Sequence, residues 1–97
     1  MGERLKIYEI GEWNMDSDES ISIQHTLELK NIKKIESVII KKDTGDIFIE
    51  EIPSPEIYIG ITEKHITISR EQGGRFDNSN YDATSYNRGY ISIVKKT

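Results

Sequence analysis

Apolar and polar residues alternate along most of this chain with the two-residue period of a β-strand, not the longer period of a helix. The cleanest run is Ser20–Leu29. There Ile21, Ile23, His25, Leu27 and Leu29 share one face, while Ser20, Ser22, Gln24, Thr26 and Glu28 take the other, and the later half is free to peel away into the Lys30–Lys34 connection. Leu5–Ile10 predicts an earlier strand with Lys6, Tyr8 and Ile10 on one face and Leu5 and Ile7 on the other, ended by Gly11. Ile35–Lys42 and Asp46–Ile52 predict a hairpin across Asp43-Thr44-Gly45, with Gly45 supplying a positive φ. Pro53 and Pro55 then end its second strand, because proline cannot donate to a ladder. Glu56–Thr62 and His65–Arg70 predict the next hairpin around Glu63-Lys64, with Ile57, Ile59, Ile61, Ile66 and Ile68 facing inward. Gly60 in mid-strand points to a bulge or a close backbone neighbour. Tyr90–Val94 closes the series. About seven short strands at this spacing predict an all-β fold: a single antiparallel β-sandwich spanning residues 1–97.

Between the last two strands stands Glu71–Gly89, nineteen residues without either periodicity. Connections longer than about 12–15 residues are uncommon in compact domains and tend to be functional or disordered. This one carries Phe76, Tyr81 and Tyr86, and disordered segments are poor in aromatics. It is expected to be one long ordered loop before the last strand.

Composition supports the strand reading. Eighteen isoleucines stand against three leucines and one alanine, a supply suited to pleated surface and poor for helices. A biased codon usage can inflate isoleucine, but it would not place the residues in alternation. The net charge of −4 argues against a nucleic-acid face, which needs a basic surface. Lys30, Lys33, Lys34, Lys41 and Lys42 cluster, yet Asp43, Asp46, Glu50 and Glu51 follow at once and no stacking aromatics interleave. Without cysteine there is no disulfide framework or thiolate chemistry. No secretory signal or membrane span is read, and Lys6 stands where a myristoylation signal wants Ser or Thr. The chain is expected to be soluble as written.

Few motifs carry chemistry. Asp43-Thr44-Gly45 matches the tripeptide of aspartic proteases, whose mechanism needs two carboxylates sharing a proton in an apolar surround. Lys41, Lys42 and Asp46 flank it here, which describes a hairpin tip. Asp16–Ser20 and Asp77–Asp82 offer oxygen ligands for calcium, but both lack the glycine and glutamate of an EF-hand loop. An irregular calcium site at Asp77–Asp82 stays open; otherwise no cofactor is expected. His25 reads as a core residue bonded to backbone. No catalytic constellation appears, so the chain is not expected to be an enzyme. Trp13 serves either as core or as a flat face for a sugar or partner. Tyr81, Tyr86 and Arg88 among Ser and Asn suit a recognition loop, or simply pin the loop to the sheet.

Ile10–Asp16 with its Trp13-Asn14-Met15, Ile35–Ile40, and Phe76–Ile91 with its Asn87-Arg88-Gly89 together give a likeness. The chain resembles small β-sandwich modules of phage and prophage virion proteins, of the tail-fibre or head-fibre kind, H-type-lectin-like in outline. The resemblance implies a structural or receptor-binding role in a virion, and a homo-oligomer, usually a trimer. Surplus apolar strand surface would then face neighbouring subunits. The alternative is a carbohydrate-binding module contacting a cell-surface glycan through Trp13, Asp77, Tyr81, Tyr86 and Arg88.

Overall fold

The computed structural model describes residues 3–96. Met1 and Gly2, where an acylation signal would begin, lie outside the described residues. Seven strands follow in order: β1 (Glu3–Glu9), β2 (Ser20–Gln24), β3 (Ile32–Lys41), β4 (Ile47–Glu51), β5 (Ile57–Ile61), β6 (His65–Arg70) and β7 (Gly89–Lys96). They form two antiparallel sheets, ordered β1-β7-β3-β4 and β2-β6-β5. The chain is therefore the all-β sandwich that alternation predicts. The only helical pieces among the described residues are two single 3₁₀ turns, Leu29–Asn31 and Ser79–Tyr81.

The core lies where the inner faces meet. Val38 and Ile40 of β3 and Ile91 and Ile93 of β7 face Ile57 of β5 and Ile66 and Ile68 of β6, all buried. Phe76 and Tyr81 reach in from the loop and Trp13 and Met15 from the β1–β2 connection. Isoleucine suits these positions because its stiff branched side chain packs on a pleated surface at little entropic cost.

The structure decides three local readings. The second strand ends at Gln24, because His25 leaves the ladder to meet the β5–β6 turn. Its N–H donates to the Lys64 carbonyl (2.9 Å) and its Nε2 lies 2.8 Å from the Thr62 carbonyl. A carbonyl only accepts, so Nε2 carries the proton and Nδ1 accepts from the Leu27 N–H (3.1 Å). The buried histidine is satisfied by backbone, as the sequence implies. Gly60 marks neither a bulge nor a crowded spot: it pairs regularly with Thr67, and the space beside it is open. The irregularities fall instead in β3, between Ile32 and Lys34 and between Ile35 and Ser37. Gly45 does take the left-handed φ of 97° at the β3–β4 turn.

Candidate functional site

The long connection before β7 folds onto one end of the sandwich around Arg88, whose residue surface is 0% exposed. Arg88 is the last residue before β7, so strand pairing fixes its backbone and aims its side chain across the end of the core. Nε donates to the Trp13 carbonyl (2.9 Å), Nη1 to the Lys41 carbonyl (2.7 Å) and Nη2 to the Ala83 carbonyl (2.8 Å). Nη1 also pairs with Asp43 Oδ1 at 3.0 Å. A planar guanidinium satisfies such a divergent set where an ammonium could not. One side chain thus ties together the β1–β2 connection, the end of β3 and the loop itself.

Asp43 is the second fastening. Its carboxylate accepts from the N–H groups of Asp82 (3.1 Å) and Ala83 (3.2 Å). Burial pushes its pKa up, but the Ala83 N–H and the Arg88 guanidinium outweigh that and hold it below the ordinary 3.8. Tyr86 donates its hydroxyl to the Lys42 carbonyl and stacks its ring 5.2 Å from the Arg88 guanidinium. Thr44 and Gly45 are exposed at the hairpin tip, while Asp43 is partly covered by the loop it anchors. Arg70, an inward position of β6, is a third fastening: Nε donates to the Met15 carbonyl (2.6 Å) and Nη2 lies 3.4 Å from Asp77 Oδ1.

Of the five residues the sequence marks as a binding set, Trp13, Tyr81, Tyr86 and Arg88 converge, while Asp77 lies apart on Arg70. Trp13 and Tyr81 are buried; the indole N–H donates to the Asp18 carbonyl (3.0 Å), and the Tyr81 ring meets Phe76 edge-on at 5.3 Å. Asp77 also accepts from the Gly73 N–H (2.8 Å), and Asn78 caps the 3₁₀ turn through the Asn80 N–H (2.9 Å). Among the described residues no group of three histidines or carboxylates is placed to hold a metal ion. The work these side chains do in the structure is to fasten the loop. Asp43 and Arg70 are the members sequence reasoning misses; an arginine in phase with Ile66 and Ile68 is the signal that could have found the second.

One prediction follows from the Asp43 fastening. A carboxylate whose folded pKa is lowered contributes stability that is present above its unfolded pKa and lost as pH falls through the folded value. Asp43→Asn should therefore lower the thermal midpoint at neutral pH. The gap to the wild type should close as pH falls below the ordinary carboxylate range, once Asp43 is protonated in both folded and unfolded chains. A gap that persists unchanged in strong acid would show that Asp43 does not act through its charge.

The two outer faces of the sandwich differ sharply. On the four-stranded sheet the register sets Leu5 beside Val94, Ile7 beside Ser92, and Tyr90, Ile39 and Ile49 in one row, with Ile47 beside Lys41. Leu5 and Ile7 are each 55% exposed, Ile47 57% and Ile49 64%. On the three-stranded sheet the outward positions are Ser20, Ser22 and Gln24, then His65, Thr67 and Ser69, then Tyr58 and Gly60. No aliphatic side chain points outward there. A bias toward isoleucine would have supplied both faces alike, so the difference belongs to the fold. Strand spacing of about 4.8 Å and a rise of about 3.4 Å per residue make the apolar face roughly 20 by 15 Å. Glu9 and Glu51 share this face with Lys34, Lys41 and Lys96. No helix among the described residues is long and apolar enough to cross a membrane. No family model, curated protein or solved structure matches the chain.

Proposed function

We propose that this protein is a non-catalytic β-sandwich module of the virion type that associates with copies of itself through apolar residues on the outer face of its four-stranded sheet. The observation that carries this reading is the placement of Leu5, Ile7, Ile47 and Ile49, all more than half exposed, on one outer face while the opposite outer face has no aliphatic residue. Apolar surface of this extent on a small domain marks an interaction site more often than chance. A second copy suits it on charge. The face holds lysines as well as acids, so two copies meet there without the repulsion that a net charge of −4 per chain implies elsewhere. Its area falls short of the roughly 800 Å² per partner of a standard interface, so the expected affinity is micromolar. The virion class rests on the sequence resemblance; nothing on the face calls for three copies over two. The carbohydrate alternative has less support, because the rings of Trp13 and Tyr81 are covered.

Light scattering tests the reading. The wild type should run heavier than its 11.2 kDa chain at high micromolar concentration, and the double variant Leu5→Lys/Ile49→Lys should run as a monomer. Both sites are solvent-facing edge positions where lysine is well tolerated, so the thermal midpoint should hold. Equal masses for the two proteins would contradict the proposal. A glycan bound by the monomer and lost in Tyr86→Ala would favour the carbohydrate reading instead.

A further inference from the structure

The sandwich has four strand edges, and β4 differs from the other three. On β2 and β5 the aliphatic residues Ile21, Ile23, Ile57, Ile59 and Ile61 face inward, so lengthening those edges would cover no aliphatic surface. On β1 the charged Lys6 lies on the inward side above Tyr8, 5.6 Å from its ring, a device that discourages strand addition; the inward charge of β4, Glu50, is instead neutralised by Arg75 and accepts from the Ser54 hydroxyl (3.1 Å). β4 carries the two most exposed isoleucines of the chain, with Phe48 between them.

Its backbone is arranged for pairing. The Lys42 N–H donates to the Asp46 carbonyl at 2.8 Å, and antiparallel ladders alternate bonded with non-bonded pairs. Counting from that pair, Ile40–Phe48 and Val38–Glu50 exchange bonds, whereas Lys41–Ile47, Ile39–Ile49 and Ser37–Glu51 do not. Ile47, Ile49 and Glu51 therefore direct their N–H and C=O groups outward, away from β3.

Resting on the self-association proposed above, we infer that two copies join by antiparallel pairing of β4 with β4 about a two-fold axis through Ile49. Charge selects this register. Centring on Phe48 would set Glu50 opposite Asp46 of the second copy, and centring on Glu50 would oppose two glutamates. Centring on Ile49 opposes no acid to an acid: Ile49 meets Ile49, Phe48 meets Glu50 and Ile47 meets Glu51. Lys41 lies beside Ile47 on the outer face. The second copy's Glu51 then sits about two strand spacings away, roughly 10 Å, and the Lys41 ammonium, which in the single chain lies over the Tyr90 ring (5.5 Å), turns toward it. The axis stands perpendicular to the sheet, so Ile47 and Ile49 of the two copies cover one another across the joint, while Leu5 and Ile7 at the far edge stay open. Such a joint is isologous and builds pairs.

Cross-linking tests the joint, since the chain contains no cysteine. Across a bonded antiparallel pair the Cα atoms lie about 5.5 Å apart, within disulfide reach. Two copies of position 47 would be about 14 Å apart. Under mild oxidation Ile49→Cys should form a covalent dimer at least about tenfold faster than Ile47→Cys, because thiols held in the joint meet at millimolar effective concentration. The double variant Ile47→Cys/Glu51→Cys should also link. Both isoleucines are exposed, so the variants should fold and Ile47→Cys controls for random collision. Equal rates for the two single variants, or a wild-type mass of three chains, would overturn the β4 joint and leave the self-association standing. A wild type that stays monomeric at every concentration would overturn both.

Discussion

Arg88→Met is expected to lose most of the stability of the fold, lowering the urea midpoint by roughly 2–3 M at a typical small-domain slope. The guanidinium is fully buried and serves the carbonyls of Trp13, Lys41 and Ala83 as well as the Asp43 carboxylate. Removing one partner of a buried ionic group costs about 3–5 kcal/mol, because the groups left behind have no water to turn to. A domain of this size has about 5–15 kcal/mol in total. Lysine should not rescue the position, since one ammonium cannot reach three divergent carbonyls. Asp43→Asn should cost less in the Arg88→Met background than alone, because the two side chains act as a unit. An unchanged midpoint in Arg88→Met would show that the loop is held by packing and not by this side chain.

Gly89→Ala should be nearly as damaging, for a different reason. Gly89 opens β7 opposite Ile40, and a β-carbon there would run into the Ile39 carbonyl, its carbon 2.8 Å away. The obstacle is backbone of the neighbouring central strand, so no rotamer change relieves it and the two strands must part. Overpacking typically costs about 1–3 kcal/mol, and a backbone clash belongs at the upper end. At about 4–8 °C per kcal/mol, the thermal midpoint should fall by roughly 12 °C or more. Gly60→Ala is the control. Its site is open, without positive φ and in mid-strand, so it should be neutral or slightly stabilising. Equal effects at the two glycines would contradict the packing described for Gly89.

Much of this architecture can be read from the isoleucines. Their alternation places all seven strands, and it also separates Leu5 and Ile7 from Lys6 and Tyr8 on β1. It does not say which side faces inward, because that depends on where the second sheet stops. On β1 the inward side holds Lys6 and Tyr8, at the margin of the core, and the aliphatic pair is left outside. For the same reason the sequence cannot separate an outward Ile47 or Ile49 from an inward Ile66. The loop's order follows from its aromatics, and Arg88 reads as a residue that pins the loop to the sheet, as an arginine does by pairing with an acid. Which acid is a matter of tertiary structure: Asp43 lies forty-five positions earlier, inside a tripeptide that reads as a plain hairpin tip. The later half of the run to Leu29 peels away because His25 finds better partners on the β5–β6 turn than in a lengthened ladder.

The most direct test of an outer sheet face built for copies of itself is sedimentation velocity of the wild-type chain from low to several hundred micromolar. The weight-average sedimentation coefficient should climb with concentration toward a species of more than one 11.2 kDa chain. It should fall back toward the monomer value on dilution. A single monomer boundary across that whole range would contradict it.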